Sequence, residues 1–192
     1  MSDAQFVLAS GSPQRADLLH SAGFKFLIEP ADIDESINPG EEPRDYVGRM
    51  ARSKATHAYT DLAVLGADTI VLVDGEVLGK PVDRGQAISF IDTLSGREHE
   101  VVTAVAISLR GRVEIAVVGA KVHFRNLKSG EASRYWDTGE PFDKAGSYGL
   151  QRVGGVFVEK VIGSYSAVIG LPLVETEGLL SSFGVDTWRN RT

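Results

Sequence analysis

Apolar runs of strand length alternate with helix-length segments along the whole 192-residue chain, and that alternation confines it to an α/β fold. Phe6 to Ala9 and Phe24 to Ile28 read as short strands flanking a helix that begins near Pro13 and ends before Gly23. Pro43 opens a long helix reaching about Leu62. Ala63 to Ala67 and Ile70 to Val73 read as strands, and Asp74-Gly75 is a two-residue hairpin signal. A helix from Asp83 to Leu94 precedes two long strands, Val101 to Leu109 and Val113 to Phe124, joined at Gly111-Arg112. A short helix around Glu131 to Trp136 leads into a glycine-rich loop, Gly139 to Gly155. Val156 to Ile162 and Tyr165 to Ile169 read as a second hairpin around Gly163-Ser164, and Pro172 starts a last helix to about Phe183. Some of the strand pairing must therefore be antiparallel.

No repeat, low-complexity run or Pro/Ser-rich linker interrupts the chain, so residues 1–192 read as a single domain with at most two lobes. With no cysteine, disulfides, thiolate zinc sites and cysteine nucleophiles are excluded. A net charge of −6 argues against polymeric nucleic acid as a partner, since its readers carry a basic stripe. A small phosphorylated ligand needs only a few well-placed cations. The amino terminus lacks a charged region followed by a long apolar run, and no stretch reaches the ~18 apolar residues of a membrane span. The expected location is the cytoplasm, away from any membrane.

Two cations stand on helix faces that should be apolar. In Ser10-Gly-Ser-Pro-Gln-Arg15, Ser12 is placed to cap a helix with Pro13 at its first position. Arg15 falls in that helix's first turn, where a cation opposes the dipole, and on the stripe of Leu18, Leu19 and Ala22. A phosphate bound at the helix start would resolve both oddities; an ordinary capped helix with a snorkelling arginine is the alternative. On the long helix, Lys54 interrupts the stripe Val47, Met50, Ala51, Ala55 and Ala58, while Arg49, Arg52 and His57 look solvated. Here too the ordinary reading is an ammonium that snorkels to water.

The hairpin places Val73 opposite Glu76, hence Ile70 opposite Gly79 and Thr69 opposite Lys80. Lys80 is then beside Asp68, which stands at a strand end or bend between two apolar segments. Asp68 is either an ion-pair partner of Lys80 or a metal-binding and proton-handling group. Residues 29–42 hold six carboxylates and no basic residue; Asp32, Asp34 and Glu35 are either a solvated loop or oxygen ligands suited to Mg²⁺ or Mn²⁺. The four histidines have no ligand-pair spacing, and neither a Walker loop nor GxSxG occurs.

An ordered set of motifs resembles the Maf family of nucleoside triphosphate pyrophosphatases. It comprises LASGSPQR (Leu8 to Arg15), DIDES, ARSKA (Ala51 to Ala55), GADTIV (Gly66 to Val71), LGKP (Leu78 to Pro81) and LSG (Leu94 to Gly96). TAVAI (Thr103 to Ile107), DKAGSYGLQ (Asp143 to Gln151) and GSYSAVIGLPLVET (Gly163 to Thr176) complete it. The resemblance implies an elongated α/β fold with a mixed central sheet flanked by helices and a substrate cleft between two lobes, usually dimeric. It implies hydrolysis of a nucleoside triphosphate to the monophosphate and pyrophosphate with Mg²⁺ or Mn²⁺. By resemblance Asp68 is the proton acceptor, Glu35 with Asp68 holds the metal, and Ser10, Arg15, Lys54 and Lys80 bind phosphates.

Thr69, Gln151 and DKAG at Asp143 to Gly146 resemble the branch favouring dTTP and UTP rather than 7-methyl-GTP. Gln14 departs, because that branch commonly has arginine between the proline and Arg15; a shorter neutral side chain there would weaken or broaden base selection. The competing readings are a nucleotide sensor that regulates cell division without turnover, and a phosphate-binding α/β domain of another family.

Overall fold

The structure, a computed structural model, describes residues 3–58 and 60–189. Its strands are β1 (Phe6–Leu8), β2 (Phe26–Ile28), β3 (Ala63–Val73), β4 (Glu76–Leu78), β5 (Glu98–Leu109), β6 (Arg112–Phe124) and β7 (Val158–Gly163). Its helices are α1 (Pro13–Ser21), α2 (Pro43–His57), α3 (Arg84–Leu94), α4 (Glu131–Trp136), α5 (Tyr165–Ile169) and α6 (Leu173–Ser182). The strands form one mixed seven-stranded sheet, ordered β2-β1-β3-β5-β6-β7 with β4 attached to β3.

β1 lies between β2 and β3 and pairs parallel to both, Val7 standing opposite Leu27 and Val64. Parallel neighbours need crossovers, which α1 and α2 provide. Being interior, β1 is a continuous buried run rather than an alternating one. Antiparallel pairing joins β3 to β4 and β6 to β7. The β3–β4 turn has Asp74 at φ 52° and Gly75 at φ 83°, and Arg110 (φ 49°) and Gly111 (φ 82°) connect β5 to β6. Two successive positive φ values give the turn twist that matches the strands.

The chain divides into two compact units. One contains the described residues up to Asp68, Thr103–Val118 and those from Gly170 on; the other contains Thr69–Val102 and Gly119–Ile169. In the first, Val47, Met50, Ala51 and Ala55 of α2 are fully buried, and Val7, Ala9 and Val64 pack with Ala31, Ala58 and Leu62. In the second, Val71, Ile91, Leu94, Val122, Phe124, Tyr135, Tyr148 and Phe157 form a larger core. Among the described residues, no helix is long and apolar enough to cross a membrane.

Several elements differ from the sequence expectation, among them the β5–β6 turn, which falls at Arg110-Gly111 rather than Gly111-Arg112. Tyr165–Ile169 is a helix, not the second strand of a hairpin. Ser164 accepts a hydrogen bond from Ala167 N at 3.2 Å, as an N-cap does, and starts a helical turn where Gly163 (φ 113°) ends β7. Ala63 to Val73 is one strand with Asp68 inside it, not two strands around a bend. β4 ends at Leu78, so Gly79 and Lys80 lie beyond the ladder, and the Thr69–Lys80 pairing is not part of it. α2 stops at His57 rather than Leu62: Ala58 is already extended, and Thr60 Oγ1 accepts Leu62 N in a local turn. Tyr59, within the expected helix, lies outside the described residues.

Candidate active site

The first unit gathers two cations and two carboxylates at the end of β1 and the middle of β3. Its geometry begins with Gly66. A Cβ there would collide with Ala51 O and Ala55 N and come within 2.9 Å of Lys54 Cβ, so only glycine lets the α2 backbone lie this close to β3. Asp68, two residues along the strand, points to the same face as Gly66. The close approach thus brings Lys54 over Asp68, and Lys54 Nζ donates to Asp68 Oδ1 at 2.7 Å. The same ammonium is 2.7 Å from Glu35 Oε1.

Lys54 therefore does not snorkel to solvent. Its side chain is 9% exposed, that of Asp68 14% and that of Glu35 48%, so the ion cluster is buried at its base and open on the Glu35 side. The ammonium offsets repulsion between the two carboxylates, which a buried charge needs from a partner. Among the described residues Asp68 Oδ2 makes no hydrogen bond.

Arg15 is also buried and does not reach for water. Its Nε donates to Gly170 O at 2.9 Å and its Nη1 to Ser10 Oγ at 3.0 Å. Ser10 Oγ additionally accepts Ser12 N at 3.3 Å. Burial pulls the guanidinium below its usual range, and the nearby charges of Asp68 and Glu35 oppose that pull. Ser12 occupies the N-cap position of α1, yet its hydroxyl donates to Gln14 Oε1 at 2.9 Å instead of capping a backbone N–H. Gln14 is half-buried beside this loop.

Glu35 stands on a stretch with no regular structure, held to α2 by two side chains that sequence reasoning missed. Tyr46 Oη donates to Glu35 O and Arg49 Nη2 to Ser36 O, each at 2.9 Å. Arg49, read from sequence as solvated, also makes two 2.6 Å hydrogen bonds to the Glu41 carboxylate, which accepts Asn38 N at 3.0 Å. Burial pushes the Tyr46 phenol up to about 12, and the charges of Asp68 and Glu35 add to the rise. A signal for this latch existed: Tyr46 and Arg49 are three residues apart on a helix that follows the acidic run. Asp34 accepts Ser36 N at 2.9 Å, and Asp32 is exposed.

Glu35 and Asp68 each place a carboxylate oxygen 2.7 Å from the Lys54 ammonium, and two carboxylates this close are the kind of donor a hard divalent cation takes. Among the described residues no group of three His, Cys, Asp or Glu side chains is poised around one point. Mg²⁺ commonly takes only one or two carboxylates and completes its shell with water and substrate phosphate, so the Glu35–Asp68 pair fits such an ion.

The structure brings together Ser10, Arg15, Glu35, Lys54 and Asp68. Thr69, Lys80 and Gln151 belong to the second unit, Thr69 half-buried on β3, Lys80 exposed just past β4, and Gln151 exposed in the glycine-rich stretch. Gly146 N donates to Gly79 O at 3.1 Å, tying the chain beside Lys80 to that stretch.

Residues 5–183 match the family described as Maf-like protein. The dTTP/UTP pyrophosphatase of Hahella chejuensis is 48% identical over 190 residues, covering 96% of this chain and 94% of its own. The protein of the same name from Methylobacillus flagellatus is 48% identical over 183 residues, covering 93% and 92%. That of Colwellia psychrerythraea is 45% identical over 188 residues, covering 94% and 89%.

Proposed function

The chain belongs to the Maf family, and from that premise we propose that it hydrolyses nucleoside triphosphates to the monophosphate and pyrophosphate, preferring dTTP and UTP. Modified pyrimidine triphosphates fall in the same class, which gives the enzyme a house-cleaning role in the nucleotide pool. The observation that carries the reading is the Lys54 ammonium shared by Asp68 and Glu35, whose charges also act on the buried Arg15. A purely structural ion pair needs one carboxylate; two, with an open side, suit a reaction centre.

Asp68 is the general base. Lys54 fixes Oδ1, and Oδ2 accepts the proton of the water that attacks the α-phosphorus. Lys54 also stands where charge develops on the phosphoryl oxygens and stabilises it without reorganising. Arg15, oriented by Ser10 and Gly170, supplies a second fixed cation for the phosphate chain. Glu35 and Asp68 are the residues that would hold Mg²⁺ or Mn²⁺. When bound, such an ion polarises the scissile phosphoryl group and neutralises the leaving pyrophosphate. The resemblance adds Lys80 as a third phosphate cation and Thr69, Gln151 and Gln14 as residues for the base.

We take the whole chain to act as a single domain, on free nucleotides in the cytoplasm, as a homodimer. One family match across residues 5–183 supports the single domain; the family resemblance supports the rest. A pyrophosphate-release screen over dTTP, UTP, CTP and 7-methyl-GTP with Mg²⁺ or Mn²⁺ tests the reading. Preference for dTTP and UTP is expected. Preference for 7-methyl-GTP would overturn the substrate class, and silence with every nucleotide would favour a regulator without turnover.

A further inference from the structure

Gln151 lies in a glycine-rich, largely irregular part of the second unit. Residues 139–155 contain five glycines and, apart from short 3-10 turns, no regular structure. Such a stretch has a large conformational entropy to lose on ordering. Yet it is tied on both sides of Gln151 by a carboxylate and a phenol.

Glu140 reaches across the stretch. Its Oε2 accepts Val153 N at 2.9 Å, and its Oε1 accepts Gly154 N at 3.2 Å and Tyr135 Oη at 2.9 Å. Tyr135 Oη in turn accepts Gly149 N at 3.1 Å. The chain is thus fixed two residues before Gln151 and two and three residues after it. Tyr135 is itself anchored in the core of α4, its ring edge-on to Phe157 at 5.0 Å. Tyr148 adds a further anchor, with its hydroxyl hydrogen-bonded to His99 Nε2 at 2.7 Å and its ring against Phe124.

The glycines follow from this arrangement. A Cβ on Gly149 would stand 2.9 Å from Glu140 Oε1, and one on Gly154 would stand 2.5 Å from Tyr135 Oη. One on Gly155 would meet Leu150 O at 2.6 Å. Gly149 and Gly154 make room for the side chains that hold this stretch.

A rigid seat for this amide has a chemical use. Uracil and thymine present an N–H donor beside a carbonyl acceptor, and a glutamine amide matches that edge. Cytosine presents the reverse order, which the same amide matches after a half-turn. An amide that can turn accepts both bases, so discrimination gains from a backbone that limits where the amide can reach.

We propose that Glu140 and Tyr135 are positioning residues for base selection: they form a frame that fixes the backbone around Gln151 and so lets its amide discriminate uracil and thymine from cytosine. This rests on the proposed pyrimidine-selecting role of Gln151.

The test is a double-mutant cycle on kcat/KM for dTTP and for CTP, using the full chain. Glu140→Gln and Tyr135→Phe are each expected to lower the dTTP:CTP ratio about 10-fold, mainly through KM for dTTP. In a Gln151→Ala background the same substitutions are expected to change the ratio no further, which a merely structural role would not produce. If Gln151→Ala alone leaves the ratio unchanged, the role of Gln151 fails. If Gln151→Ala shifts the ratio while folded Glu140→Gln and Tyr135→Phe leave it intact, the frame is overturned. Should Glu140→Gln not fold, Tyr135→Phe, which keeps the buried ring, decides alone.

Discussion

Two irregular stretches carry residues proposed for the reaction, and they are held in opposite ways. Residues 29–42 bear Glu35 and are tied to α2 by the half-buried Tyr46 and Arg49, through the backbone carbonyls of Glu35 and Ser36, with an Arg49–Glu41 ion pair beside them. Residues 139–155 bear Gln151 and are tied by hydrogen bonds to a half-buried Glu140 and to a Tyr135 that is 2% exposed. An ion pair such as Arg49–Glu41 is screened by salt, whereas leaving a buried phenol without its partner is costly. The difference fits the two tasks. The proposed ligand for an exchangeable ion lies on the stretch braced partly by an ion pair, and the proposed selector of bases on the one braced by a buried phenol.

The largest effect expected from testing this comparison is at the carboxylate that shares Lys54 with Glu35. Asp68→Asn should fold normally and lose about 10²–10⁴-fold in kcat, since a general base contributes that much. Circular dichroism checks the fold and pyrophosphate release the rate. Next comes the Glu140–Tyr135 frame. Glu140→Ala leaves two backbone N–H groups and a buried phenol without their acceptor, and a loss of roughly 2–3 kcal/mol in urea unfolding is expected.

The Tyr46–Arg49 latch should answer differently. Arg49→Ala is expected to weaken Mn²⁺ binding to the nucleotide-free protein about 10-fold, as loss of an orienting group behind a ligand does, with little change in Tm. Added salt should speed hydrogen exchange at residues 35–38 and leave that at 149–154 unchanged. Equal salt sensitivity in both stretches would erase the distinction between them.

The smallest effect concerns His99, the partner of Tyr148. Burial lowers its pKa from the ordinary 6.5 to about 4. Between these values the unfolded chain binds the proton and the folded one does not, so stability is full above pH 6.5 and falls as pH drops toward 4. At pH 5.5 the loss relative to pH 7.5 is expected to be about 1 kcal/mol. The difference in this slope between wild type and His99→Phe isolates it.

Much of this was readable in the sequence because it is local. The hairpin at Asp74-Gly75 appears as predicted, since turn chemistry fixes backbone angles within four residues. Arg15 and Lys54 stood out because a charge on an apolar stripe breaks a periodic pattern, and the structure shows each with a polar partner instead of solvent. The snorkelling alternative failed for Lys54 because its partners lie far away in sequence. Tyr165–Ile169 misled because a five-residue apolar run fits a buried strand and a helical turn equally, and Ser164 decides between them. Tyr46 and Arg49 showed only as a helical pair after an acidic run, and Glu140 not at all: each bonds backbone groups 11 to 14 residues away, which no pattern in the sequence marks.

The central claim is that water activated by Asp68 attacks the α-phosphorus, and oxygen-18 labelling tests it most directly. Hydrolysis of dTTP in H₂¹⁸O should place one labelled oxygen in dTMP and release unlabelled pyrophosphate, read by mass spectrometry. Label in pyrophosphate, or release of inorganic phosphate in its place, would contradict the account.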